Sequence, residues 1–293
     1  MPILRSLELT DYDIDRRQIR KATLFQQLED DEVMFRNMIH PMRWEDSRVR
    51  GWGRPAMGIL FSLPIAIHKA GIYLTNLDIQ ISPPEDFSPL APTEADLCDL
   101  KASMKQMKFF NFWIRGREAS FWPRRPVDEV KHVVKYESAL LDTANLRRIS
   151  LDVHCLWDEN MPPRLSLLKP RPWPQLRSFS LWGVPAHYTE LAQILDGREK
   201  PITFVNLRDT HLISGTWADI LDLLRNTYMG CTSLEYPTGA ECDTLSDEDR
   251  KRIFLSSVGL DHLVVRSLAE RYIARLVATN PLRDLAGDME DAE

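Results

Sequence analysis

A short pattern of apolar positions recurs along the chain: one apolar residue, two residues of any type, then two apolar residues separated by one position. The last two apolar positions lie two residues apart, so in a β-strand both side chains point to the same face of the sheet. After the second copy, successive copies are 26 to 39 residues apart, a range typical of repeat proteins. The pattern predicts strands near residues 4–9, 74–81, 107–113, 146–153, 176–182, 202–208 and 231–236.

Between these strands the apolar residues change to the spacing of a helix. The apolar residues of 217–224 fall on one helical face, and Thr216 or Ser214 precedes them as a candidate N-cap. Thr93, with Asp96 three positions later, predicts a second helix start of the capping-box type. Further helices are predicted over residues 54–70, 130–141 and 189–195.

A strand followed by a helix, repeated along the chain, requires crossovers of one hand and therefore a parallel sheet. The sequence thus predicts an α/β fold, an irregular leucine-rich-repeat-like solenoid with parallel strands on its concave face and helices outside. We expect this solenoid to span residues 1–245. An acidic turn after Ser246 and a helix over Leu260–Ala278 predict a helical C-terminal cap at 246–280, followed by an acidic disordered tail at 281–293.

Hydrophobic residues make up 44% of the 293 residues and charged residues 27%, which provides enough apolar material for a folded core. The longest uncharged apolar run, residues 56–67, is too short to span a bilayer, and the first residues hold no secretory signal. We therefore expect an intracellular protein, cytoplasmic or nuclear, that contacts no membrane. The formal net charge is −6, of which residues 284–293 contribute −5, and this balance argues against a general nucleic-acid binder.

The sequence contains no motif of a nucleotide-binding loop, a serine hydrolase or a zinc protease. Its cysteines form no Cys-x-x-Cys pair, and the neighbours His154 and Cys155 would point to opposite faces of a strand, so we expect no metal site. Asp209 and His211, two positions apart, pair a carboxylate with a histidine, and a turn explains both. We predict a non-enzymatic protein without a cofactor, with an enzyme of unrecognised site as the remaining alternative.

The residues between the apolar positions of each strand should face outwards on the concave side. Most of them are small or polar, but the central strands place aromatic and arginine side chains there, which often dominate the energetics of protein interfaces. Alternatively, a loop covers these rings, because bare aromatic residues on a sheet favour aggregation. The predicted protein-binding residues are Phe109, Trp113, Arg148, Trp182, Phe204 and Arg208.

A second candidate site is the segment 113–125, in which aromatic residues are interleaved with arginines. Aromatic rings stack on bases and guanidinium groups bind phosphate, so this composition favours nucleic-acid or phosphoryl-ligand binding. A surface loop with solvated arginines has the same composition and is the simpler interpretation. The candidate ligand-binding residues of this segment are Arg115, Arg117, Trp122, Arg124 and Arg125.

Two stretches, residues 176–181 with the sequence Leu-Arg-Ser-Phe-Ser-Leu and residues 202–225, resemble the leucine-rich-repeat-like region of filamentous-fungal F-box proteins. In that family the repeats form a substrate-binding platform, and an N-terminal helical F-box docks on the adaptor of a cullin ubiquitin ligase. The resemblance therefore implies a platform that binds another protein. The first repeat already begins at Leu4, which leaves no room for a preceding F-box, so the cullin-ligase adaptor is not an expected partner.

Overall fold

The computed structural model describes residues 6–10, 58–81, 87, 90–114, 127–156, 165–168, 173–196, 201–227, 230–258 and 264–284. Seven strands in these ranges form one sheet, in which all neighbours are parallel and the spatial order follows the chain order. The predicted α/β class with a parallel sheet is confirmed. The strands are β1 (Ser6–Thr10), β2 (Asn76–Ile81), β3 (Phe109–Ile114), β4 (Arg148–Asp152), β5 (Ser178–Trp182), β7 (Phe204–Arg208) and β9 (Cys231–Glu235).

An α-helix separates most consecutive strands of this sheet, whereas the described residues between β4 and β5 contain only the 3₁₀ turn His154–Leu156. The apolar sides of the helices share one buried core with the apolar side of the sheet. Of the helices in the described ranges, none has the length and apolar character needed to cross a membrane. The helices are α1 (Ile59–Lys69), α2 (Glu94–Ser103), α3 (Val127–Leu140), α4 (Tyr188–Leu195), α5 (Trp217–Thr227), α6 (Asp247–Phe254) and α7 (Leu268–Ile273).

The strands take the register that the apolar pattern predicts, but most begin later than expected. In β5 the apolar residues Phe179 and Leu181 are fully buried, and the alternate residues are partly exposed. Leu176, the first apolar position of this copy, is also buried but lies in the turn before the strand. An odd spacing of three residues separates it from Phe179, so an alternating strand cannot place both on one face. For this reason β2, β3, β4, β5 and β7 each begin two residues after the predicted start.

The same backbone contact recurs where successive strands begin. The carbonyl oxygen of Arg147 accepts hydrogen bonds from the amides of Arg177 and Ser178, at 2.8 and 3.1 Å. One strand further, the carbonyl oxygen of Arg177 accepts from the amides of Thr203 and Phe204, at 2.8 and 3.2 Å. These repeated contacts hold neighbouring strands in one register and align their side chains across the sheet.

Polar side chains begin several of the helices, as the sequence predicts. Thr93 and Asp96 form the expected capping box at the start of α2. The hydroxyl of Thr216, rather than that of Ser214, accepts a hydrogen bond of 3.1 Å from the amide of Asp219 at the start of α5. These bonds satisfy amides that a helix leaves without an internal partner.

A second, shorter ladder lies beyond the carboxyl ends of the last strands, and the apolar pattern does not predict it. Strands β6 (Pro185–His187) and β8 (His211–Ser214) pair in parallel, and Thr238 forms an isolated bridge with His211. The chain turns towards this ladder at the residue immediately after β5, β7 and β9, and each of these residues has a positive φ. They are Gly183 (+63°), Asp209 (+47°) and Tyr236 (+51°), spaced 26 and 27 residues apart.

The C-terminal region differs from the prediction of one helix over Leu260–Ala278. Two short antiparallel strands, β10 (Ser257–Val258) and β11 (Val264–Val265), come first, and α7 covers only six residues. A capping box formed by Ser267 and Glu270 sets the start of α7. The helix ends before Arg275, whose φ of +62° is incompatible with an α-helix.

Residues 281–284 form a helical turn that packs on α5, although they were expected to belong to the disordered tail. Leu282 is only 5% exposed, and the guanidinium of Arg283 lies 2.7 Å from Asp219 and 2.9 Å from Asp222. One buried leucine and one arginine between two carboxylates thus anchor this turn. The remaining predicted tail, 285–293, lies outside the described residues.

Candidate functional site

The in-register strands align the positions that alternate with the buried apolar residues into three rows, and we call this side of the sheet the polar face. The amino-end row holds Ser6, Asn76, Phe109, Arg148, Ser178, Phe204 and Cys231. The middle row holds Glu8, Asp78, Asn111, Ser150, Ser180, Asn206 and Ser233. The carboxyl-end row holds Thr10, Gln80, Trp113, Asp152, Trp182, Arg208 and Glu235.

All six predicted protein-binding residues lie on the polar face, but they fall into two rows instead of one cluster. Three belong to the carboxyl-end row and three to the amino-end row, four strand residues apart, which corresponds to about 13 Å. The candidate site is a run of four side chains on adjacent strands of the carboxyl-end row. We call it the tryptophan row: Trp113, Asp152, Trp182 and Arg208.

Trp182 is held by contacts from both sides of its strand. Its indole N–H donates a hydrogen bond of 2.8 Å to Oδ2 of Asp209. The guanidinium carbon of Arg208, on β7, lies 4.3 Å from the centre of the indole. The imidazole of His154, in the turn after β4, stacks on the indole with 5.5 Å between ring centroids. Cation–π, stacking and hydrogen-bond contacts therefore fix the orientation of this ring.

Asp152 is a buried carboxylate between two tryptophan positions, and the sequence analysis did not single it out. It is only 1% exposed, and its Oδ1 lies 2.7 Å from Nδ1 of His154. The spacing Asp-x-His at the end of a strand was the available signal, since residues two apart can meet where a chain turns. The other Asp-x-His pair considered in the sequence, Asp209 with His211, is not formed, because His211 contacts Thr238 and Asp209 accepts from the Trp182 indole.

Trp113 lies on the other side of Asp152. Its indole N–H donates a hydrogen bond of 3.0 Å to the hydroxyl of Ser150, while the ring remains partly exposed. Two strand spacings, about 10 Å, separate the backbones of Trp113 and Trp182. Both indole groups are thus oriented by hydrogen bonds to the protein itself.

Arg208 completes the tryptophan row and carries little uncompensated charge. Its Nη1 lies 3.2 Å from Glu235 on β9, and its Nε lies 3.6 Å from Asp209. Burial raises the pKa of Asp209 above its ordinary value, although the hydrogen bond from Trp182 and the charge of Arg208 oppose this shift. Two carboxylates as well as the ring itself therefore hold the guanidinium over Trp182.

A close backbone approach supports the stacking of His154 on Trp182. Gly183 directly follows Trp182 and has a φ of +63°, a region that L-residues with a Cβ rarely adopt. A Cβ at this position would lie 2.2 Å from Cα of His154. Glycine at 183 thus allows the turn after β4, which carries His154, to lie directly against β5.

The amino-end row is less constrained. The guanidinium carbon of Arg148 lies 5.7 Å from the ring of Phe109, and no hydrogen bond orients either phenylalanine side chain. Phe204 is 37% exposed. These residues share the polar face with the tryptophan row but do not contact it.

The second candidate site cannot be placed in the same way. Of the segment 113–125, the structure describes only Trp113 and Ile114. The five candidate ligand-binding residues lie outside the described residues: Arg115, Arg117, Trp122, Arg124 and Arg125. Among the described residues, no three or more His, Cys, Asp or Glu side chains are arranged to hold a metal ion.

No protein-family model, curated protein or solved structure matches this chain.

Proposed function

We propose that the chain is a non-enzymatic protein-recognition module whose partner binds across the tryptophan row. The observation that carries this proposal is that Trp113 and Trp182 are partly exposed and yet already oriented by hydrogen bonds. Ordering a flexible side chain on binding costs about 0.5–1.5 kcal/mol, so oriented rings retain more of their contact energy. Tryptophan and arginine are also the residues that most often dominate protein interfaces.

We also propose that the seven strands form an irregular leucine-rich-repeat-like solenoid, with the polar face as its concave side. The strands follow one another in chain order, and the turns after β5, β7 and β9 share a residue of positive φ at 26- and 27-residue spacing. Repetition of one strand–turn–helix unit is the structural principle of such proteins. In this proposal the chain holds its partner as the substrate platform of an F-box protein does.

Affinity purification of the tagged chain from its own organism tests the proposal. Wild type is compared with Trp113→Ala and with Tyr73→Ala, which removes an exposed aromatic residue that is not on the sheet. A protein retained by wild type and Tyr73→Ala, but lost with Trp113→Ala, is the expected result. The Kd of the purified pair should rise at least tenfold in Trp113→Ala, as for an interface hot spot.

Trp113 is a better test residue than Trp182, because Trp182 also holds Arg208 and His154 in place. Circular dichroism should show that Trp113→Ala keeps the wild-type fold. If every retained protein bound Trp113→Ala as tightly as wild type, the tryptophan row would not be the recognition surface. Retention of no protein at all would also contradict the proposal.

A further inference from the structure

The strands β1 and β2 carry negative charge on the polar face that no described cation neutralises. Glu8 and Asp78 stand directly opposite each other in the middle row, and Glu8 is exposed. Like charges at directly opposite positions destabilise a sheet. Neither carboxylate forms an ion pair with a described residue. The chain therefore keeps a repulsive pair at the edge of its recognition surface.

Two neighbouring side chains hold the carboxylate of Asp78 in place. It accepts hydrogen bonds from the side-chain amide of Gln80, at 3.2 and 3.3 Å, and from that of Asn111, at 2.8 Å. Both donors are neutral, so they leave the negative charge of Asp78 directly opposite the exposed carboxylate of Glu8. Two anionic acceptors thus adjoin each other on β1 and β2.

This acidic pair adjoins the tryptophan row. Asp78 is the diagonal neighbour of Trp113 on the adjacent strand, at a side-chain separation of about 7–8 Å. Across the whole sheet the polar face holds four carboxylates and two guanidinium groups, and Arg208 is already paired with Glu235. A partner that covers this face from Trp182 to β1 therefore meets net negative charge.

We propose that the partner presents an extended segment bearing lysine or arginine, whose cationic side chain binds between Glu8 and Asp78. This inference rests on the proposed recognition function and adds the chemistry of the partner. A guanidinium group has five N–H donors and an ammonium group has three, so either can donate to both carboxylates at once. The same cation relieves the repulsion between Glu8 and Asp78, while the aliphatic part of its side chain packs towards Trp113. A nucleic-acid phosphate at this position would instead meet two carboxylates.

Selection of random peptides displayed on phage against the wild-type chain tests this inference. The expected result is enrichment of lysine and arginine in the selected peptides relative to the starting library. Fluorescence anisotropy then measures the Kd of the tightest selected peptide. We expect this Kd to rise about tenfold in the double variant Glu8→Gln/Asp78→Asn and to rise with salt concentration, because the contact is between charges.

The matched control is Asp247→Asn/Glu248→Gln, which removes the same charge from exposed positions on α6 and should leave the Kd unchanged. Glu8→Gln/Asp78→Asn should fold and be slightly more resistant to denaturant than wild type, since the repulsion is gone. Selected peptides without a basic bias, or with equal Kd for both double variants, would overturn the inference. Preferential binding of a labelled single-stranded RNA at this face would also overturn it.

The selection separates this inference from the proposed function. If the selected peptides are not basic but lose affinity with Trp113→Ala, the tryptophan row is a recognition surface and only the partner chemistry is wrong. If no peptide binds even at millimolar concentration, or if Trp113→Ala has no effect, both proposals are wrong.

Discussion

The two ends of the polar face carry similar residue types but hold them in different ways. At the carboxyl end, Trp182 is in contact with His154, Arg208 and Asp209, and Trp113 donates to Ser150. At the amino end, Phe109 and Phe204 have no polar atom to hydrogen-bond, and Phe204 is 37% exposed.

The difference arises in the turns that follow the strands. His154 and Asp209 both belong to such turns, and each reaches back to a ring on the neighbouring strand. In a parallel sheet all strands end on the same side, so these turns gather along one edge, where functional residues commonly lie. The comparison indicates that aromatic residues at the carboxyl end are built into the fold, whereas those at the amino end are additions to its surface.

The largest expected effect is that of Gly183→Ala, which breaks the carboxyl-end arrangement at its closest backbone contact. The new Cβ would lie 2.2 Å from Cα of His154, and the residue would keep a φ of +63°. We expect a loss of about 3–4 kcal/mol in the free energy of unfolding, measured with urea. Gly71→Ala is the control, because Gly71 also has a positive φ, of +76°, but an added Cβ would meet no other atom within 4 Å. We expect this variant to lose about 1 kcal/mol in the free energy of unfolding. Equal losses in the two variants would show that the contact with His154 is unimportant.

An intermediate effect should separate the two ends directly. Trp182→Ala removes a ring that contacts Arg208 on β7 and His154 in the turn after β4, and we expect it to cost about 2 kcal/mol of stability. Phe204→Ala removes an exposed ring and should cost about 0.5 kcal/mol or less. Urea denaturation of both variants measures the difference. Equal losses in the free energy of unfolding would show that the contacts of Trp182 stabilise the fold no more than those of the exposed Phe204.

The smallest expected effect is that of Asp209→Asn, and it depends on pH. Burial raises the pKa of Asp209, so the ionised carboxylate is less favourable in the folded state than in the unfolded state. This cost is present above the folded pKa and disappears as the pH falls through it. Asparagine keeps an acceptor for the Trp182 indole and tolerates the positive φ of this position. Asp209→Asn should therefore unfold at a slightly higher temperature than wild type at pH 7, and the difference should shrink in acid. A lower Tm of Asp209→Asn than of wild type at pH 7 would show that the ionised Asp209 stabilises the fold, contrary to this prediction.

The sequence predicts the sheet well because one physical pattern specifies it. Two buried apolar positions at a spacing of two define each strand, and repetition along the chain gives the order and the parallel direction. The same pattern does not locate β6 and β8, whose pairing depends on backbone turns at Gly183 and Asp209 rather than on apolar spacing. It also overestimates the last helix, because capping by Ser267 and the positive φ of Arg275 shorten α7.

The candidate site was predictable only in part. Alternation along the strands places Trp113, Trp182 and Arg208 on one face, and they lie there. Phe109 and Phe204 lie four residues earlier along the same strands, so the alternation that places all six predicted residues on one face does not bring them into one cluster. The pairing of Asp152 with His154 depends on how the chain turns after β4, and no periodicity encodes that turn.

In our proposal, recognition takes place at the carboxyl end of the polar face. Isothermal titration calorimetry of the retained partner with wild type, Trp113→Ala and Phe204→Ala tests this location, since the two substitutions remove aromatic rings from different rows of one face. We expect Trp113→Ala to raise the Kd at least tenfold and Phe204→Ala to change it less than about twofold. An effect of Phe204→Ala equal to or larger than that of Trp113→Ala would show that the partner does not bind at the carboxyl end.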